Sequence, residues 1–351
     1  MQKKNVFPDS KTLKAVMIMA IALLPACGGL ATLIASQDTY QTDKRRYEYN
    51  QFETEIARKF GLMALLAQTA YRHDLDTEGI DGNGCRYLKD PKKFRKDLYF
   101  GMPQNDEKKG GWSRWVPSAE ALEHTSPCID DAGLFYETYI YENENGVVEE
   151  AVIAFRGTEN RGTQTVKDWW TNISSLLGLE SSEYSLARKK IPSLIDALDT
   201  TFPNIKIYAT GHSLGGGLAQ QAGYLSRKIK EVFTFNTTPV TNWSQLRLLK
   251  IVDNEYPIIY RIYHGGEFLE YLRFITTSFT SARPGRYDIG VQFDGFRRKA
   301  FSGHAMNIIT CNFAEILKNN QTEGSADHHY SIRYIRNTVL TSRSLCLEPK
   351  Q

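Results

Sequence analysis

Ser213 sits in the run Gly211-His212-Ser213-Leu214-Gly215, with a glycine two residues away on each side. That spacing fits a nucleophile elbow, in which a serine on a strained strand-to-helix turn lifts its hydroxyl clear of the backbone. Side chains at the glycine positions would crowd the turn and the helix packed behind it. A serine hydroxyl is a poor nucleophile near neutral pH. It needs an imidazole to take its proton, an acid to orient that imidazole, and N–H donors for the oxyanion that forms. Upstream, Val152-Ile153-Ala154-Phe155-Arg156-Gly157-Thr158 is a buried-strand run that ends at glycine and a hydroxyl residue. Thr158 is thus a candidate oxyanion donor, and the N–H of Leu214, directly after the serine, is the second. For the base the candidates are His304 in Ser302-Gly303-His304-Ala305-Met306, and His328 or His329 in Asp327-His328-His329-Tyr330. His304 follows loop residues and precedes a helical stretch from Met306 to Leu317. His212 and His264 read as structural neighbours of the site.

The elements needed to position these groups are present in order. Ile207-Tyr208-Ala209 suits a buried strand before Ser213, and Leu214 to Tyr224 is small, apolar and helix-compatible. Strand patterns run Phe135 to Tyr141, Val147 to Phe155, Ile205 to Ala209, Val232 to Phe235 and Ile258 to Tyr263. A hairpin at Glu144-Asn145-Gly146 joins the first two. Helical stretches cover Phe52 to Tyr71, Ser181 to Thr201, Leu214 to Lys230 and Asn242 to Val252. Strands alternating with helices predict an α/β fold, a mostly parallel central sheet with helices on both faces. Between His73 and Ala132 the chain is rich in Gly, Asp, Lys and Pro and reads as irregular.

The 351 residues carry a formal charge of +3, and the whole excess lies before Cys27. Setting aside Lys3, Lys4, Lys11, Lys14 and Asp9 from 43 basic and 40 acidic residues leaves 39 of each. That balance argues against a nucleic-acid partner. The N-terminus has a basic region, an apolar run from Ala15 to Leu24, then Leu24-Pro25-Ala26-Cys27. It resembles a bacterial lipoprotein signal, so residues 1–26 are expected to be removed and Cys27 lipidated. The alternative is an uncleaved anchor, since the 21 residues from Ala15 to Ala35 carry no charge. Pro25 and Gly28-Gly29 sit badly in a helix centre and favour the lipoprotein. Both readings export the domain, to the periplasmic or cell-surface face. Residues 27–50 form a tether, and 51–351 a single domain. The four remaining cysteines fit an oxidising compartment, and Cys85–Cys128 with Cys311–Cys346 closes the shortest loops, the first holding the irregular segment at about 73–132. None has metal-ligand spacing, and nothing calls for a cofactor.

VIAFRGT at 152–158, DWWTN at 168–172, GHSLGG at 211–216, FNTTPV at 235–240 and YRIYHGGEF at 260–268 together resemble the class 3 lipase family, which includes fungal triacylglycerol lipases. The resemblance spans roughly residues 130 to 310 and rests on several blocks in the family's order. It implies an α/β-hydrolase fold, with Thr158 at the oxyanion-hole position. The family carries aspartate on a short loop after a strand-ending arginine. Here the strand containing Arg261 leads to Glu267, which the resemblance makes the acid, with Asp253 and Glu270 as alternatives. Gly303-His304-Ala305-Met306 looks like bacterial members and Asp327-His328-His329-Tyr330 like the ending of fungal ones. The segment Thr158 to Leu177 resembles the family's lid, where Trp169 and Trp170 would suit an interfacial surface or pack beneath the sheet. Basic residues between Ser281 and Lys299 are a solvated face or a headgroup contact. The expectation is an exported lipid-ester hydrolase. Its rivals are an esterase or thioesterase for small soluble esters, and a catalytically silent surface-binding lipoprotein.

Overall fold

The computed structural model describes residues 41–42, 49–71, 79–80, 86–87, 111–115, 128–131, 134–157, 180–240, 242–249, 257–264, 269, 286–291 and 304–319. Along the chain these form β1 (Gln41–Thr42), α1 (Tyr49–Thr69), β2 (Gly79–Ile80), β3 (Arg86–Tyr87), β4 (Gly111–Arg114) and β5 (Cys128–Asp131). Then come β6 (Leu134–Glu142), β7 (Val148–Phe155), α2 (Ser182–Thr201), β8 (Lys206–His212) and α3 (Leu214–Leu225). The remainder are β9 (Ile229–Phe235), α4 (Trp243–Leu248), β10 (Ile258–His264), β11 (Arg286–Val291) and α5 (Met306–Asn319).

Among the described residues the main sheet runs β1-β11-β10-β9-β8-β7-β6-β4, and β5 also pairs with β6. Every pairing from β1 across to β7 is parallel. The β6–β7, β4–β6 and β5–β6 pairings are antiparallel. Alternation along the strands divides the core in two. Val152 and Ala154 of β7 point to a layer containing α1 and α5, while Ala151, Ile153 and Phe155 point to one containing α2 and α3. This is the expected α/β architecture, with helices on both faces of a mostly parallel sheet.

The second half of helix α1 is apolar all round, with Leu62 to Ala67 fully buried. Such a helix lies within a core rather than on its surface. Side-chain donors fix its depth: the Thr210 hydroxyl of β8 donates to the Met63 carbonyl at 3.1 Å, and Thr310 of α5 to the Ala64 carbonyl at 3.2 Å. This clamps the layer that brings Tyr71, just past α1, and His304, just before α5, to the carboxyl ends of the strands.

The hairpin between β6 and β7 forms at Asn143–Val147. Asn143 Oδ1 accepts the N–H groups of Asn145 and Val147, and Gly146 takes φ +76°. Helix α3 stops at Leu225 rather than Lys230, because Ile229 already pairs with Ile207 at the start of β9. Helix α4 is shorter than its pattern, ending at Leu248. Strands β4 and β5 lie inside the segment expected to be irregular and extend the sheet along β6. GWSR and CIDD are too short and polar to read as strands alone. Strand β11, from a segment expected to be a basic surface, pairs in parallel with β10. Residues 1–40, with Cys27 and the anchor alternative, lie outside the described residues, as do Cys85 and Cys346. No helix among the described residues is long and apolar enough to cross a membrane.

Candidate active site

β8 runs directly into Ser213, whose φ of 56° and ψ of −125° are strained for a residue with a side chain. Such strain costs on the order of 1–3 kcal/mol and persists only where surroundings over-determine it. They do so here. The Ser213 N–H donates to the Phe235 carbonyl at 3.1 Å, and its own carbonyl accepts from Gly216 N–H at 3.0 Å and Thr238 N–H at 3.1 Å. The turn is thereby held between β9 and the first turn of α3.

The glycines are needed for close approach. A Cβ on Gly211 would lie 2.3 Å from the Gly215 carbonyl oxygen. One on Gly215 would lie 2.3 Å from the Phe155 oxygen and 2.8 Å from the Gly157 nitrogen. The end of β7 thus presses on the elbow: a Cβ built on Gly157 would stand 3.1 Å from Ser213 Cβ. The next residue, Thr158, lies outside the described residues. The Gly157 N–H is already committed, donating to Tyr71 Oη at 2.9 Å. Leu214 opens α3, and an N–H at the first position of a helix has no acceptor within that helix. Arg156 turns aside, its guanidinium 4.0 Å over the Phe135 ring.

His304 lies in a short helical turn at the start of α5's segment, half-buried. Its carbonyl accepts from the His212 ring Nε2 at 2.6 Å and from Asn236 Nδ2 at 3.1 Å. The two imidazoles are 4.8 Å apart between centroids. His304 is therefore beside the residue that immediately precedes the nucleophile. His212 is buried, and desolvation, reinforced by His304, holds its pKa well below the usual histidine value despite the carbonyl contact. It is neutral and suits a structural role better than that of a base. Its Nδ1 is 2.7 Å from Tyr71 Oη.

His264 ends β10, buried, and its N–H donates to Asn236 Oδ1 at 2.8 Å. Arg261, fully buried within β10, donates through Nε to Tyr263 Oη at 2.5 Å. Glu267 follows β10 by three residues and lies outside the described residues, together with Asp253, Glu270, His328, His329, Trp169 and Trp170. Cys311 on α5 is buried and disulfide-bonded, and the side chains of the other cysteines are outside the described residues. No cluster of metal-ligating side chains occurs among the described residues.

Tyr71 and Asn236 are the groups that sequence reasoning missed as members of the site. Asn236 lies within FNTTPV at 235–240, a pattern that by itself assigns the amide no role. Tyr71 ended an amphipathic helix and carried no local signal, since its partners Gly157 and His212 are 86 and 141 residues away.

Two curated proteins are similar in sequence to part of this chain. An extracellular phospholipase A1 from Serratia liquefaciens is 29% identical over 154 residues, covering 44% of this chain and 42% of that protein. The lipase ZK262.3 from Caenorhabditis elegans is 26% identical over 177 residues, covering 46% and 49%. The matched stretches thus span less than half of either relative. Among solved structures, lipase II from Rhizopus niveus aligns at a TM-score of 0.32 and 16% identity over 62% of this chain and 75% of that one. Dienelactone hydrolase from Anabaena variabilis aligns at 0.33 and 12% over 60% and 98%. A family model matches residues 62–241, from the buried half of α1 through the elbow to Val240 and Thr241 and just over half of the chain. The chain belongs to the phospholipase-like family of the Tle-like phospholipase domain.

Proposed function

We propose that this chain is an exported serine hydrolase of lipid carboxylic esters, with Ser213 as nucleophile, His304 as base and Glu267 as the acid that orients it. His304 takes the proton of Ser213 Oγ, which bonds to the acyl carbonyl carbon and turns the carbonyl oxygen into an oxyanion. The N–H groups of Thr158 and Leu214 stabilise that charge. Collapse breaks the ester C–O bond, and the alcohol leaves with the proton from His304. Water, deprotonated by His304, then attacks the acyl-enzyme and releases the carboxylic acid and Ser213.

The observation that carries this reading is the strained Ser213 turn pressed against the end of β7. Nothing in core packing calls for a serine with positive φ at that point. Commitment of the Gly157 N–H to Tyr71 favours the next N–H, that of Thr158, as the oxyanion donor. β10 ends at His264, at the same end of the sheet as Ser213, and Glu267 comes three residues later in the chain, whereas Asp253 precedes that strand. Lipid substrates fit the family and the relatives described as a phospholipase A1 and a lipase. The relative described as extracellular agrees with an exported domain. The proposal includes lipidation at Cys27 and the pairings Cys85–Cys128 and Cys311–Cys346. Phospholipid vesicles and triacylglycerol emulsions, offered to wild type and to Ser213→Ala, test it. Fatty-acid release by wild type alone supports the proposal, and equal release by both rejects it.

A further inference from the structure

We propose that His212 and Asn236 are positioning residues that fix the main chain of His304 against the nucleophile elbow, with Tyr71 holding His212 in the tautomer this requires. The inference rests on the reading of Ser213 and His304 as nucleophile and base. One backbone carbonyl, that of His304, is the point on which two buried side chains converge: His212 Nε2 at 2.6 Å and Asn236 Nδ2 at 3.1 Å.

A carbonyl only accepts, so His212 carries its proton on Nε2. In the neutral ring Nδ1 is then an acceptor, and the Tyr71 hydroxyl donates to it at 2.7 Å. The same Tyr71 oxygen accepts the Gly157 N–H at 2.9 Å. A directed chain of donors therefore runs from Gly157 through Tyr71 and His212 to the His304 carbonyl. It ties the strand end beside Ser213 to the loop that carries the base. Burial keeps His212 neutral and so preserves the direction of the chain.

Asn236 adds the second tie. Its N–H donates to the Ile262 carbonyl at 2.8 Å, and its Oδ1 accepts the His264 N–H at the end of β10. At φ +42° it occupies a conformation that asparagine tolerates better than most residues. One amide thus registers the end of the strand that leads to Glu267 against the main chain of His304. Fixing that carbonyl from two directions limits drift of the imidazole, and displacement of a reacting group by about 1 Å can cost about 100-fold in rate.

The test compares His212→Leu, His212→Gln and Asn236→Asp with wild type, measuring kcat and KM on a soluble short-chain ester and the rate of fluorophosphonate labelling at Ser213. His212→Leu is expected to lower kcat by roughly 10- to 100-fold, with KM within about twofold and an unchanged unfolding temperature. His212→Gln restores an N–H near the same carbonyl and is expected to recover most of that loss. Asn236→Asp keeps the acceptor for His264 but loses the donor to His304, and is expected to fall with His212→Leu. Equal kcat in leucine and glutamine variants, or a change confined to KM, overturns the proposal. Histidine ¹⁵N spectra of the wild type provide a readout independent of variant folding: His212 is expected neutral with Nε2–H at neutral pH, and a protonated or Nδ1–H ring there overturns the proposal. A wild type unlabelled at Ser213 removes the reading of the site and this role together. A labelled wild type with an unimpaired His212→Leu removes the role alone.

Discussion

Gly215→Ala sets two magnitudes against each other at one atom. Gly215 is in the first turn of α3, where alanine's helix propensity alone would stabilise by about 1 kcal/mol. Against that, the new Cβ would lie 2.3 Å from the Phe155 oxygen, 2.7 Å from the Arg156 carbonyl carbon and 2.8 Å from the Gly157 nitrogen. All three are main-chain atoms at the end of β7, so no rotamer change relieves the clash. α3 and β7 must part by about 1 Å to reach ordinary contact. Overpacking of this kind costs about 1–3 kcal/mol, giving a net destabilisation of roughly 0–2 kcal/mol. Activity suffers more, because the gap opens between the Ser213 turn and the strand end that precedes Thr158. A displacement of that size is expected to lower kcat by about 100-fold. The assay pairs thermal unfolding with hydrolysis of a short-chain ester, using Gly290→Ala as control, since no neighbouring atom among the described residues lies within 4 Å of its new Cβ. The control is expected to keep wild-type kcat and stability within about 0.5 kcal/mol. A Gly215→Ala protein as stable as wild type, with kcat within about threefold, would refute the reasoning.

Further outcomes follow from the same geometry. Burial, opposed by Lys206 and supported by Glu149, pushes the Glu150 carboxyl up to about 8. A raised acid pKa means the native state holds a proton that the unfolded chain releases, so this group's contribution is full below about pH 4.5 and is lost as pH rises toward 8. Glu150→Gln is expected to flatten that decline and to raise stability at pH 8, read by denaturant unfolding across pH. Glu180 is gripped by Arg188 at 2.8 and 2.9 Å and by Asn242 at 2.9 Å, and the Arg188 contact in particular holds its pKa low. Its contribution is present above the unfolded pKa and fades as pH falls through the lower folded value. Arg188→Ala is expected to cost about 1–3 kcal/mol at pH 7, with the difference from wild type shrinking in acid. Metabolic labelling with palmitate is expected to mark the wild type and not Cys27→Ser, whereas equal labelling would reject the lipid anchor.

Ser213 was legible because its conformation demands glycine at fixed offsets, and main-chain crowding at Gly211 and Gly215 is a local constraint that sequence records. The strands from β6 to β10 were legible because burial within the sheet forces runs of apolar residues, and α2 because its buried Ala187, Ile191, Leu194, Ile195 and Leu198 recur at helical spacing. Strands β4 and β11 were not: Gly111–Arg114 and Arg286–Val291 gain their strand character from pairing with β6 and β10. His304 stood out by its loop-then-helix context, and α5 does begin two residues later. Tyr71 and Asn236 stayed hidden because their chemistry is a convergence in space. No pattern near either residue distinguishes a hydroxyl or amide that meets a distant histidine from one that meets water.

The central claim is that Ser213 is an activated nucleophile, and mapping the covalent adduct of a fluorophosphonate by peptide mass spectrometry tests it most directly. The account predicts a single adduct on the peptide containing Gly211-His212-Ser213-Leu214-Gly215, absent in Ser213→Ala. An adduct on another residue, or an active protein that takes none, would contradict it.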